Sequence, residues 1–114
     1  MVAHIVLFRP KQNITEANRQ SLFDSLRVAS SEIPTVKRFH IGKRITHGRA
    51  YEKLMAMDYP YAAVIEFADL EGLKAYLEHP KHQALGNLFD ELSDGALIYD
   101  YEMMGVEGSM RSLR

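Results

Sequence analysis

Cysteine is absent from this chain, and so is tryptophan. Without cysteine there is no disulfide framework, no thiolate nucleophile and no cysteine-ligated zinc or iron–sulfur centre. The lack fits a reducing compartment, and a cytoplasmic protein is the expectation. No apolar run approaches the ~18 residues a membrane helix needs, and the opening apolar stretch is short and lacks a basic leader. Charge of one sign is missing too: 14 Lys and Arg face 15 Asp and Glu, a net charge of -1. That balance gives no whole-chain field for nucleic acid or an anionic membrane. The local basic group Lys37, Arg38, Lys43, Arg44 and Arg49 reads as a solvated strand edge and loop. Gly-rich phosphate loops, dinucleotide fingerprints and serine-nucleophile motifs are likewise lacking, so no cofactor is expected.

What is present is an ordinary globular composition, 46% hydrophobic and 25% charged, in 114 residues. That length fits one domain, placed at residues 1–104, followed by a loose tail over 105–114. Residues 2–8 are almost continuously apolar, the pattern of a central strand buried on both faces, with His4 as its odd member. Pro10 stops it. Thr15 can cap a helix over 15–31 whose apolar stripe runs through Leu22, Phe23 and Leu26. Pro34 ends that unit. The stretch 35–45 alternates and mixes polarity, predicting an edge strand with Arg38 and His40 on one face and Phe39 and Ile41 on the other. A long loop, 46–60, carries Met55 and Met57, and a loop of that length is often a lid or a partner contact. A third strand follows over 61–68, then a short helix capped by Asp69 and bearing Leu73 and Tyr76. A second helical segment starts at Pro80, carries Leu85, Phe89 and Leu92, and is expected to close at Gly95. Residues 96–104 form the last strand.

The order βαββαβ predicts an α+β, ferredoxin-like fold: a four-stranded antiparallel sheet with helices on one face. The first strand is apolar on both sides, however. Ile5 and Leu7 need cover as much as Val6 and Phe8 do, and one helix layer serves only one set. A homodimer that presses two open sheet faces together supplies the rest, closing an α/β barrel. Glu66 and Asp100, embedded in strands, are expected to pair with Arg38 or His40 across that dimer.

Three stretches, His4-Ile-Val-Leu-Phe-Arg9, Tyr76-Leu-Glu-His-Pro-Lys-His82 and Leu97-Ile-Tyr-Asp-Tyr101, resemble the stress-responsive dimeric α/β-barrel domain family over about residues 2–103. The resemblance implies the fold and the dimer deduced above. One plant member closes a linear polyketide by an aldol reaction in a pocket built from a first-strand histidine and a tyrosine and histidine around the His-Pro-x-His segment. By resemblance His4, Tyr76 and His82 take those places, while a further pocket tyrosine falls at Leu26. The wider group also contains cofactor-free monooxygenases and haem-degrading enzymes; the latter use a pocket tryptophan, which this chain lacks.

The chemistry fits those residue types. Imidazole exchanges protons near neutral pH, so His82 is the candidate base, and Tyr76 can hold a developing oxyanion. His4 would face His82 across a pocket for a small apolar molecule. The plain alternatives are a His82 that packs at a helix start, a Tyr76 that is a core aromatic, and a His4 satisfied by a neighbouring group. His79-x-x-His82 lacks a third ligand placed by sequence, so no metal is expected. Two functions follow, a small-molecule binding protein with acid–base chemistry or a non-catalytic stress or interaction module, and the resemblance adds a cofactor-free monooxygenase as a further alternative.

Overall fold

The structure is a computed structural model that describes residues 1–113. Nine residues, Val2–Pro10, form strand β1, and helix α1 spans Glu16–Glu32. Strand β2 is Arg38–Lys43, β3 is Tyr61–Phe67, and helices α2 and α3 are Leu70–Glu78 and Pro80–Leu92. Strand β4, Ser93–Glu102, and helix α4, Val106–Ser112, complete the chain. The strands join in the order β2-β3-β1-β4, every neighbour antiparallel, which is the ferredoxin-like arrangement.

Local chemistry sets the boundaries. Thr15 accepts from the Asn18 amide at 3.1 Å to cap α1, and Asp69 accepts from the Gly72 amide at 2.8 Å to cap α2. Between α2 and α3 the chain turns at His79, whose Nδ1 accepts from the Lys81 amide at 3.0 Å while Pro80 opens α3. His79 is therefore engaged as a cap.

Register separates the two sheet faces. In β1, His4, Val6 and Phe8 point to the helices and join Ala63, Ile65 and Phe67 of β3 in the core. Leu22, Leu26 and Ala29 of α1, Leu73 and Tyr76 of α2, and Leu85 and Leu92 of α3 close it from above. Each fully buried large apolar side chain adds roughly 1.5–3 kcal/mol over its exposed state, so this layer holds the subunit together. The opposite face presents Ile5, Leu7, Val64, Leu97 and Tyr99, all at least partly exposed, with no helix over it among the described residues. Tyr99 is 53% exposed although it lies in a regular strand beside Ile5.

Four details depart from the sequence reading. Strand β2 is shorter than 35–45, because the Thr35 hydroxyl donates to the Gly72 carbonyl at 2.8 Å and holds residue 35 against α2. The 46–60 loop contains a 3-10 turn, Ala50–Leu54, whose Glu52 carboxylate collects the amides of His47 and Gly48. Gly95 does not end α3: the helix stops at Leu92, and Gly95 already pairs with Arg9 inside β4. Residues 106–112 are helical rather than loose, and the last residue of the tail, 114, lies outside the described residues. No helix among the described residues is long and apolar enough to cross a membrane.

Candidate functional site

A cavity of ≈ 270 Å³ lies between the sheet and the helices. Its walls come from β1 (His4, Val6, Phe8), from α2 through Tyr76 and from α3 through His82 and Phe89. The turn at His79 and Pro80 brings Tyr76 and His82 together although they sit on different helices, with ring centroids 4.7 Å apart. His4 also meets Tyr76 edge-on, with ring centroids 5.9 Å apart. All three residues singled out in the sequence thus line one cavity.

Each ring has a defined role in hydrogen bonding. His82 Nδ1 lies 3.1 Å from the Leu77 carbonyl oxygen, which can only accept, so Nδ1 carries the proton. In the neutral ring Nε2 is then the free lone pair. His82 is held below its ordinary value of 6.5, chiefly because burial disfavours the cation. The Leu77 carbonyl opposes that shift and the nearby His4 adds to it. Near pH 7 the ring is a neutral base.

Tyr76 is almost wholly buried, and its phenol is pushed up to about 12 by desolvation. It stays a protonated donor at any physiological pH. Among the described residues no hydrogen bond takes up its hydroxyl, so its donor is free for an occupant of the cavity.

Among the described residues His4 is the one polar residue in the buried core. Its Nδ1 meets Asp100 Oδ1 at 2.5 Å, which orients the ring and leaves Nε2 without a protein partner among the described residues. This pairing corrects the expectation for Asp100. Its side chain lies on the helix face with His4, opposite which it stands in the β1–β4 register, and not on the open face. Antiparallel pairing of the two strands at His4↔Asp100 is the signal that could have found it. Glu66 does meet Arg38, at 3.9 Å, but within one chain.

Several lining residues escaped the sequence reading. Phe39 and Phe89 look like routine strand and helix positions, and only the fold converges them. Asp90 and Gly86 stand one helical turn apart on α3 and also line the cavity. Leu26, where the resemblance implied a tyrosine, gives an apolar wall. No group of three or more His, Cys, Asp or Glu capable of holding a metal ion occurs among the described residues.

A cavity under helices on a ferredoxin-like sheet, with a histidine on the first strand and a tyrosine and histidine at the helix turn, defines a class. The chain belongs to the stress responsive A/B barrel domain (Dabb) family, whose profile matches residues 2–103. It is 27% identical to olivetolic acid cyclase of Cannabis sativa over 100 residues, covering 88% of this chain and 94% of the relative. The hydroxynitrile lyase of Passiflora edulis shares the fold, with a TM-score of 0.78 at 14% identity, covering 92% of this chain and 94% of that one. A dimeric ferredoxin-like protein from Jannaschia sp. CCS1 aligns with a TM-score of 0.72 at 25% identity, covering 90% and 98%.

Proposed function

We propose that this protein is a homodimer that binds a small apolar molecule under the helices and moves a proton on it. The observation that carries this reading is the facing of a neutral histidine and a protonated phenol, ring centroids 4.7 Å apart, on the wall of an apolar cavity. In that arrangement His82 Nε2 removes a proton from carbon next to a carbonyl. The Tyr76 hydroxyl donates to the carbonyl oxygen as charge collects on it, and a donor in a dry site acts more strongly than in water. His4, oriented by Asp100, offers its second nitrogen. The products are an enol or enolate and its onward aldol, cyclisation or isomerisation product. Kinship with a cyclase supports the class of chemistry, and a dimeric neighbour supports the homodimer.

Native mass spectrometry of freshly purified protein tests subunit number and retained ligand together. The chemistry is tested by hydrogen–deuterium exchange at the methyl group of acetophenone, followed by NMR. Exchange should be faster with the wild type than with His82→Ala or Tyr76→Phe. Equal rates for all three proteins would sink the acid–base role. A retained ligand without exchange would leave a binding protein.

A further inference from the structure

The charge of the cavity selects its ligand. Among the described residues no lysine or arginine lines it, although the chain has 14 such residues. The one ionised side chain on its α3 wall is Asp90, which takes part in none of the ion pairs among the described residues. His4 brings no net positive charge, because Asp100 balances the ring when it is protonated and adds a negative charge when it is not. His82 is held neutral at physiological pH. An anion would therefore enter without a counter-ion and with a carboxylate beside it, and desolvating a charge without a partner is costly.

The same helix face also leaves open space beside the cavity. Gly86 lines the cavity on α3, and an added Cβ there meets nothing within 4 Å. Positions four apart share a helix face, so this open side lies one turn below Asp90. A molecule crossing the wall at Gly86 passes the Asp90 carboxylate.

Size narrows the class further. At ≈ 270 Å³ the cavity is at the small end of ligand sites. Three phenylalanines, Phe8, Phe39 and Phe89, wall it, which favours a flat apolar body.

We infer that the ligand is a small uncharged carbonyl compound of monocyclic-aromatic size, and that Asp90 is a specificity residue turning away carboxylates and other anions. This rests on the reading of the cavity as the binding site. Acetophenone and benzoate match in size and differ in charge, and both are titrated against the full-length protein while the His82 and Tyr76 NMR signals are followed. Acetophenone should bind the wild type at least about tenfold more tightly than benzoate. Asp90→Asn should bring benzoate about fivefold closer and leave acetophenone within about twofold. Asp90 is exposed and unpaired, so the substitution keeps the fold. Equal affinity of the wild type for both probes, or a ratio unmoved by Asp90→Asn, overturns the inference and leaves the binding site standing. If neither probe shifts those signals, the binding site and the inference fall together.

Discussion

His82 Nδ1 donates to the Leu77 carbonyl at 3.1 Å, and that single bond decides which nitrogen of the ring is the base. It also fixes the pH behaviour. Burial holds the His82 cation below its ordinary value of 6.5, so the base form dominates at neutral pH. Proton abstraction should rise with pH through a pKa below 6.5 and be flat by about pH 7. Because the folded value is depressed, the unfolded chain takes its proton first as pH falls. This group then lowers stability from about pH 6.5 downward, and its effect levels off below the folded value. A ¹⁵N NMR titration checks it, and a His82 midpoint at or above 6.5 contradicts the geometry.

The short bond between His4 and Asp100 makes a different prediction. His4 is buried, and Asp100 is the acceptor for its Nδ1–H. Asp100→Asn keeps a carbonyl oxygen there and should cost well under about 1 kcal/mol. Asp100→Ala leaves a buried donor without its partner and should cost about 1 kcal/mol or more. Urea unfolding of the two variants measures the difference. Indistinguishable midpoints would mean that water replaces the carboxylate freely.

Tyr99 should report the dimer. It stands beside Ile5 on the sheet face that no helix covers, half exposed in a single subunit. Tyr99→Glu leaves the helix-side core untouched and places a charge where two apolar faces would meet. Dimer affinity should drop at least ~100-fold in sedimentation equilibrium, with the circular dichroism spectrum retained. A variant that stays dimeric places the interface elsewhere.

Much of this was legible in the chain. The almost continuous apolar run over residues 2–8 has no sensible place except the centre of a sheet, and His4 stands out as the one polar residue within it. Pro80 signals the helix break that lets Tyr76 and His82 meet. What stayed hidden depends on register and convergence. Asp100 looks like any strand carboxylate until β4 is paired with β1 and it falls opposite His4. Gly95 looks like a helix stop because a glycine after an apolar stripe usually is one, yet the helix ends at Leu92, β4 begins at Ser93 opposite Pro10, and Gly95 is already paired with Arg9. Helix α4 carries Val106 and Met110 outward with no core beneath them, so no burial pattern announced it.

Gly86 offers the sharpest separation of stability from function. Glycine inside a helix is less stable than alanine by roughly 0.5–1 kcal/mol, since it gives up more backbone freedom on folding. Nothing in the backbone demands it here: the only positive-φ glycine among the described residues is Gly48. Nor does packing demand it, because an alanine methyl at 86 meets nothing within 4 Å. Gly86→Ala should therefore stabilise the subunit by about 0.5–1 kcal/mol, raising the melting temperature by a few degrees. The same methyl stands in the open side of the cavity, so Gly86→Val, larger and β-branched, should slow ligand uptake even where its helix cost cancels the gain. Calorimetry on the alanine variant and stopped-flow binding of acetophenone to the valine variant give the two readouts. A destabilised alanine variant would show that a neighbour packs against this position after all. Unchanged uptake in the valine variant would put the mouth of the cavity on another wall.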